Sequence, residues 1–390
     1  MRILIVNYEY PPLGGGGGVA TRAIAMELAK RHEVDVLTSA GPGLPPEERS
    51  EGVTIHRAPV LGRTRRSTAS ILSMVSFWPI GILHGRQVLK GRRYDVVNSW
   101  FAVPSGPTGL SLARYFGAPH VLTMAGGDIY DPSKWYTPDK NPLLGMAVRR
   151  VLAASDAHVA VSTDLARRAR ALYGFERPID VISLGMSAPR YTAVPRRQLG
   201  LERDVIYVVS VGRLVRRKNL ASLITALARM QRDDVHLLII GDGPEEAGLV
   251  TLADGLGVGR RVHFRGFVPN ETKYQLLAAA DIFALPSLHE AFGLVYLEAM
   301  HCGLPVIAAR PGGQEDYLDE GRTGFLVPAG DVESLEGALR RLVEDPGLRA
   351  RISAHNRQVA QRFSIAATAS HYEQVFERLG CGRMPVYVPA

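Results

Sequence analysis

Cysteine is nearly missing from this chain: two residues, Cys302 and Cys381, in 390. Two thiols without metal-ligand spacing exclude a disulfide framework and a structural zinc site, and they suit a reducing cytosol. Long apolar runs are missing too. Nothing approaches the ~20 residues that a membrane-spanning helix needs. The N-terminal MRILIVNYEY holds only the short run Ile3–Val6, which reads as a buried strand and not as a signal peptide. Two phosphate-binding signatures are absent. No G-x-x-x-x-G-K-[ST] occurs, and the run Gly14–Gly18 misses the G-x-G-x-x-G fingerprint because Leu13 and Val19 flank it. An NAD-dependent oxidoreductase requires that fingerprint with an acidic ribose partner ~20 residues on, so that class is disfavoured.

What remains is an ordinary globular composition, 46% hydrophobic and 22% charged, at a length that suits two domains. The net charge of +8 is lopsided. Residues 1–190 hold 23 Lys and Arg against 15 Asp and Glu, whereas residues 191–390 hold 23 of each. The basic first half points to an anionic partner such as a lipid headgroup, a phosphorylated acceptor or a membrane surface; compositional drift in an Arg-rich protein is the competing reading.

Along the chain, Arg2–Tyr8 reads as a strand, Tyr10–Gly18 as a glycine-rich loop, Val19–Arg31 as a helix and Glu33–Thr38 as a strand. This is a βαβ unit, and its crossover builds a parallel sheet. Gly41–Glu51 reads as a loop. Arg63–Arg93 is apolar in its middle, broken at Pro79 and basic at its flanks, which suits either a membrane-facing segment or a helix pair beside a cleft. Strands and helices alternate on to Ile179–Ile182, and Asp128 falls at the C-terminal end of the strand His120–Thr123, where open α/β sheets bind ligands. Pro189–Glu202 is irregular and polar and serves as the linker. The pattern then restarts, with helices from Val332 to the C-terminus. The domains expected are 1–188, joined by a C-terminal helix at about 365–390, and 189–364.

Two segments of the second half carry chemistry. Gly212-Arg213 ends the strand Val205–Val211, and Lys218 precedes Asn219, the expected cap of the next helix. Two cations beside a helix N-terminus make a diphosphate site; solvated surface charge is the alternative. The segment PSLHEAFGLVYLEAMHCG holds Glu290 and Glu298, eight residues apart. A helix begins near Leu294, after Phe292 and Gly293, so that backbone N–H groups are available to a phosphate and two carboxylates to hydroxyls. The competing reading has Glu290 capping that helix and Glu298 facing solvent.

Taken together, the stretches GGVATRAIAMELAKRHEVDVLT, VSVGRLVRRKNL, LLIIGDGP, VHFRGFV, PSLHEAFGLVYLEAMHCGLPVIAA and GGQEDYLDEGRTGFLVPAGD, in this order, resemble the retaining glycosyltransferases of family 4. Glu290 and Glu298 match the family's E-x7-E element. The resemblance implies a GT-B fold, α/β, with two facing Rossmann-like doubly wound domains, parallel sheets and an interdomain cleft. It implies transfer of a hexose from a UDP- or GDP-sugar to an acceptor hydroxyl by front-face displacement, with no cofactor and no metal, which agrees with the lack of an Asp-x-Asp motif at a suitable strand end. Arg213 and Lys218 would hold the diphosphate beside Gly212. Glu298 would take the ribose hydroxyls and Glu290 the donor sugar. The backbone at Phe292, Gly293 and Leu294 would contact sugar and phosphate, Gly17 and Gly18 would close over the diphosphate, and the backbone near Phe267 would read the base.

The family often carries T-x-H-G-x-D after a first-domain strand, and here Ala125 stands at the His position, in Thr123-Met124-Ala125-Gly126-Gly127-Asp128. Asp128 is then the nearest candidate for orienting sugar or acceptor. Ser183-Leu184-Gly185 replaces a common Pro-Asn-Gly and reads as structural variation. The expected partners are a nucleotide-sugar donor, a glycan or lipid-linked acceptor and an anionic membrane surface, with no nucleic acid, for a cytoplasmic protein peripheral to the inner membrane face. A hydrolysing sugar-nucleotide epimerase and a non-catalytic sugar-nucleotide binder share this pattern. A pyridoxal-dependent phosphorylase lacks a cofactor lysine in a matching context.

Overall fold

The computed structural model describes residues 1–66, 69–134, 136–187 and 190–380. The chain divides into two compact units: Met1–Ser187 with the segment from Ser364 onward, and the intervening residues up to Phe363. Pro189 of the linker, Cys381 and the expected helix beyond Gly380 lie outside the described residues.

In chain order the first unit comprises β1 (Arg2–Asn7), α1 (Gly16–Leu28), β2 (Glu33–Ser39), β3 (Glu47–Ser50), β4 (Val53–Ala58), α2 (Ile71–Val88), β5 (Val96–Trp100), α3 (Ser105–Phe116), β6 (His120–Met124), α4 (Pro142–Ala154), β7 (Ala157–Ala160), α5 (Thr163–Tyr173) and β8 (Asp180–Val181). The second comprises β9 (Ile206–Val211), α6 (Leu220–Arg229), β10 (Val235–Ile240), α7 (Glu246–Gly255), β11 (Val262–Phe264), α8 (Asn270–Ala279), β12 (Ile282–Leu285), α9 (Leu294–His301), β13 (Val306–Arg310), β14 (Gly324–Pro328), α10 (Val332–Glu344) and α11 (Pro346–Ala360). Helix α12 (Ile365–Gly380) returns to the first unit. There Arg31 and His32 pair with Glu373, and Trp100 stacks on Tyr372.

The sheets run β3-β4-β2-β1-β5-β6-β7-β8 and β11-β10-β9-β12-β13-β14. Among the described strands all pairings are parallel except β3 with β4. The strands of such sheets are covered on both faces, which is why they read as continuous apolar runs. Strand order reverses between β1 and β5 and between β9 and β12. At such switch points the loops at the strands' C-terminal ends diverge and leave room for a ligand.

Four expectations change. Glu47–Ser50 is an antiparallel edge strand, not loop: EERS has no apolar alternation, and pairing with β4 supplies its order. Pro79 does not break α2, which runs on through it. The carbonyl it strips of a partner belongs to Val75, which is exposed, so water can satisfy it. Helix α1 begins at Gly16, which places Gly17 and Gly18 in its first turn. Asn219 makes no side-chain cap to α6; it adopts the left-handed conformation at φ 53°, which Asn tolerates better than most residues.

Candidate active site

In the second unit the candidate residues gather at the β9/β12 switch point. Two glycine turns interlock there. Leu214 N–H donates to the Asp242 carbonyl at 2.7 Å, and a Cβ on Gly241, at φ 131°, would fall 2.1 Å from the Gly212 carbonyl oxygen. No side chain fits, so Gly212 and the GDGP turn fix each other and set the exit of β9. A short 3-10 turn, Arg216–Lys218, follows. Its Arg217 carbonyl accepts from Leu288 N–H at 2.8 Å, and the Arg217 guanidinium donates to the His289 carbonyl at 2.8 Å. The turn after β9 is thus laced to the loop after β12.

That lacing seats Lys218 against Glu290. The ammonium donates to Oε1 at 2.6 Å, Arg217 Nη1 lies 3.4 Å from Oε2, and both Lys218 and Glu290 are buried. Burial works to raise the Glu290 carboxyl, but Lys218 and Arg217 outweigh it and hold it at about 2. Burial lowers Lys218 more than Glu290 raises it. The Glu290 carboxylate is thus held ionised by the Lys218 ammonium and the Arg217 guanidinium. Its own carbonyl accepts from Gly313 N–H at 2.8 Å, which ties the loop to the turn after β13. Glu290 does not cap α9, whose N-cap is Gly293 in the left-handed region at φ 83° with no side-chain cap.

Phe292, Gly293 and Leu294 form the entry to α9. Tyr317 Oη donates to the carbonyls of both Phe292 and Gly293 at 2.8 Å, and the Phe292 ring is buried against Tyr317 and Phe363. The peptide planes at the helix entry are therefore fixed. Glu298, one turn into α9, is half-buried and not solvent-facing: Lys273 of α8 donates to its Oε1 at 2.7 Å. Arg213 is exposed at the strand edge. Phe267, 82% exposed, follows Gly266, whose carbonyl accepts from Gly241 N–H at 2.8 Å. An exposed ring at the same edge as the glycine turns is available to a flat ligand.

The first unit presents a different site at its own switch point, β1/β5. Phe101, directly after β5, sits at φ 73°, a strained conformation for a bulky residue. Its ring lies against α1, where a Cβ on Gly17 would come within 2.4 Å of Cζ. Gly18 is buried with its N–H donating to the Gly15 carbonyl at 3.1 Å, whereas Gly14, Gly15 and Gly16 are exposed. Asp128 is buried. Its Oδ2 accepts from Ala102 N–H at 2.7 Å, and Oδ1 accepts from Gly126 N–H at 2.8 Å and Ala125 N–H at 3.3 Å. Burial pushes it up to about 6 against the pull of these N–H groups. The carboxylate thus clamps the loop after β5 to the loop after β6.

Sequence reasoning missed Arg217, Lys273 and Phe101. No local signal marked them. The first two are surface-type cations whose partners lie 72 and 25 positions away, and nothing in a sequence announces a positive φ at Phe. Among the described residues no group of three or more His, Cys, Asp or Glu could hold a metal ion, and no helix is long and apolar enough to cross a membrane.

Two parallel α/β units, each with a strand-order reversal in its sheet, follow the plan of GT-B glycosyltransferases, and the comparisons agree. The family model for glycosyl transferases group 1 matches residues 194–359, and that for the glycosyl transferase 4-like domain matches residues 15–185. The chain belongs to the group 1 glycosyltransferases. It is 33% identical over 378 residues to D-inositol 3-phosphate glycosyltransferase of Acidothermus cellulolyticus, covering 88% of this chain and 82% of that one. It is 37% identical over 221 residues to the lipopolysaccharide core biosynthesis glycosyltransferase LpsD of Rhizobium meliloti; the match covers 56% of this chain but only 63% of that relative's length. Sucrose-phosphate synthase of Thermosynechococcus elongatus superposes with a TM-score of 0.87 at 25% identity, covering 98% of this chain and 100% of that one.

Proposed function

We propose that this chain is a retaining, metal-independent hexosyltransferase that takes its sugar from a UDP- or GDP-sugar. The observation that carries the reading is the buried Lys218–Glu290 pair at the β9/β12 switch point, inside the E-x7-E segment. An ammonium has three donors, and Glu290 occupies one, which leaves Lys218 able to donate to a phosphate oxygen without releasing the carboxylate. Glu290 keeps lone pairs for a sugar hydroxyl, and Glu298 on α9 is the acceptor for the ribose. In the reaction the bond from the sugar C1 to the phosphate oxygen breaks, the acceptor oxygen bonds to C1 on the same face, and the acceptor proton passes to the departing phosphate oxygen. Arg213 and Lys218 neutralise the charge that grows on the diphosphate, the kind of preorganised electrostatic aid that dominates many such rates. Phe292–Leu294 supply backbone to sugar and phosphate, and the backbone at Phe267 meets the base. Asp128 acts by positioning the loops after β5 and β6.

The names of the relatives, which act on an inositol phosphate and in lipopolysaccharide core biosynthesis, together with the basic first half, support an anionic acceptor. Calorimetric titration with UDP, GDP and ADP, with and without EDTA, tests the donor site. One nucleotide should bind irrespective of EDTA, and Glu298→Ala should weaken it. Absence of binding by all three sinks the reading. Release of UDP or GDP from the sugar nucleotide without any acceptor would favour the epimerase, and binding without turnover the non-catalytic alternative.

A further inference from the structure

Helix α2 is built inside out. Its buried face is mostly small: Ser73, Ser76, Gly81 and Gly85 around Phe77. A Cβ on Gly81 or Gly85 would lie 3.0 Å from Thr108 or Leu112 of α3, so the helix is pressed closely on its neighbour. The large apolar side chains point the other way. Ile71, Leu72, Val75, Trp78 and Leu83 are between 49% and 68% exposed. At 3.6 residues per turn they fall within an arc of roughly 140°. A surface helix of a globular protein ordinarily turns such a stripe inward.

The pattern extends across a layer. α2 packs on α3 and α3 on α4. Their crossovers all run the same way along the sheet, so the right-handed rule places the three helices on one face. Tyr115 of α3 and Leu143 and Met146 of α4 are exposed as well. Among the described residues of the first unit, only Val19 and Leu61 add large exposed apolar side chains outside these helices, and Leu61 lies in the segment leading into α2.

Charge on these three helices has one sign; α5, whose crossover runs the same way, adds one acid, Asp164, which is buried and paired with Arg167 and Arg168. α2, α3 and α4 contain no Asp or Glu, and they carry Arg86, Arg114, Arg149 and Arg150. The whole stretch 52–94 has no acid and eight basic residues. Arg57 and Arg63 are buried and Arg92 pairs with Asp35, but Arg65, Arg66, Arg86, Lys90 and Arg93 are exposed around the two ends of α2. By contrast α1 and α12, which pack on each other, carry Glu27, Glu373 and Glu377.

We propose that the α2–α3–α4 face docks on an anionic lipid bilayer. The apolar stripe of α2 enters the boundary between headgroups and acyl chains, and the exposed arginines and Lys90 meet lipid phosphates. The geometry favours this occupant over the others. An apolar centre with a purely cationic rim is what an interfacial helix on an anionic leaflet requires, and long basic stems can reach headgroups while the stripe sinks. A second copy of the chain would bring the same cations face to face, a repulsive arrangement. The last ten residues, the other segment able to cover the stripe, contain one arginine and no acid and offer no neutralisation.

The test uses the full chain and needs neither donor nor acceptor, so its failure is separable from failure of the transferase reading. In flotation with vesicles, phosphatidylcholine mixed with phosphatidylglycerol should capture the protein about tenfold better than phosphatidylcholine alone, and high salt should release it. The Val75→Asp/Leu83→Asp variant should lose about tenfold in capture on the mixed vesicles, with its far-UV circular dichroism and cooperative thermal melt retained as proof of fold. Capture of that variant equal to wild type, or no flotation of wild type, overturns the proposal. So does a dimer in light scattering that Val75→Asp abolishes, which would assign the stripe to a second copy. Flotation only after truncation behind Gly380 also overturns it, since the tail would then be the occupant.

Discussion

Asp128 and Glu290 are buried carboxylates in loops that leave the C-terminal ends of two similarly wound sheets, yet they are driven in opposite directions. Among the described residues Asp128 accepts from backbone N–H groups alone, and burial pushes it up to about 6. Glu290 meets Lys218 and Arg217, which overcome burial and hold it at about 2. Backbone dipoles satisfy hydrogen-bonding capacity without neutralising charge, whereas two cations do both. The first carboxylate is a clamp between loops. The second is an ion pair whose ammonium retains donors for a ligand.

Removing Lys218 should break the comparison most severely. Lys218→Ala leaves Glu290 buried with only the more distant Arg217, and stranding a buried charge in this way costs about 3 kcal/mol. Transfer should fall by roughly 10²–10³-fold if the ammonium neutralises the leaving diphosphate. Replacing both partners, Lys218→Met with Glu290→Gln, should recover at least half of the lost stability in urea unfolding while activity stays low. The acid limb supplies a second readout. Glu290 titrates at about 2 when folded and near its ordinary value, ~4.3, when unfolded, so its contribution is present above pH ~4.3 and is lost as pH falls toward 2. Lys218→Ala should shrink that dependence. Transfer within a few-fold of wild type would remove Lys218 from the mechanism.

Asp128 sharpens the contrast because its pH dependence has the reverse sign. Folded, it keeps its proton up to about pH 6; unfolded, only below ~3.9. Between these values the folded chain binds more protons, so this group adds stability as pH is lowered through 6 toward 4, by about 3 kcal/mol in total. Asn cannot titrate, and its amide N–H₂ would face one of the N–H groups that Asp128 accepts. Asp128→Asn should therefore cost about 1–2 kcal/mol at pH 7.5, and the deficit against wild type should widen at pH 5. A deficit independent of pH in thermal melts would contradict the raised carboxyl.

The same contrast marks where the sequence was legible. Parallel strands covered on both faces, such as Ile3–Val6, Val235–Ile240 and Ile282–Leu285, announce themselves as short apolar runs, the last two ended by Gly241 and Pro286, so the two-unit plan could be read directly. Arg213, Lys218 and the two glutamates were legible because each sits next to such a strand end or on the helix that follows. What resisted reading depends on distant partners. β3 is a strand only because β4 pairs with it, α2 survives Pro79 only because Val75 is exposed, and Arg217 and Lys273 matter only through glutamates brought to them by the fold. The outward stripe of α2 was visible as apolar residues between basic flanks; its direction was not, since periodicity cannot say which face of a helix meets the sheet.

Lys273 is a milder test of the second unit. Its bond to Glu298 joins side chains 14% and 18% exposed, so partial solvent screening keeps the stability change on Lys273→Ala below about 1 kcal/mol. If the lysine positions Glu298 for the ribose, donor KM should rise about tenfold, the worth of one hydrogen bond to a charged group, while kcat changes little. Lys273→Arg, which restores a donor, should recover most of the KM. A fall in kcat at constant KM would place Lys273 elsewhere in the reaction.

The smallest expected effect lies in the first turn of α1 and separates two neighbouring glycines. A Cβ on Gly16 meets nothing within 4 Å, whereas one on Gly17 would sit 2.4 Å from the Phe101 ring. Ala is the better helix former, so Gly16→Ala should leave stability unchanged or raise it by about 0.5 kcal/mol. Gly17→Ala must displace a ring whose backbone is already held at φ 73°, and should lose about 1 kcal/mol. Adding Phe101→Gly to Gly17→Ala removes both the ring and the strained conformation of a bulky residue, and should return the melting temperature toward wild type. Equal melting temperatures for the two single variants would mean that Phe101 does not brace α1. The first unit's switch point would then depend on the Asp128 clamp alone.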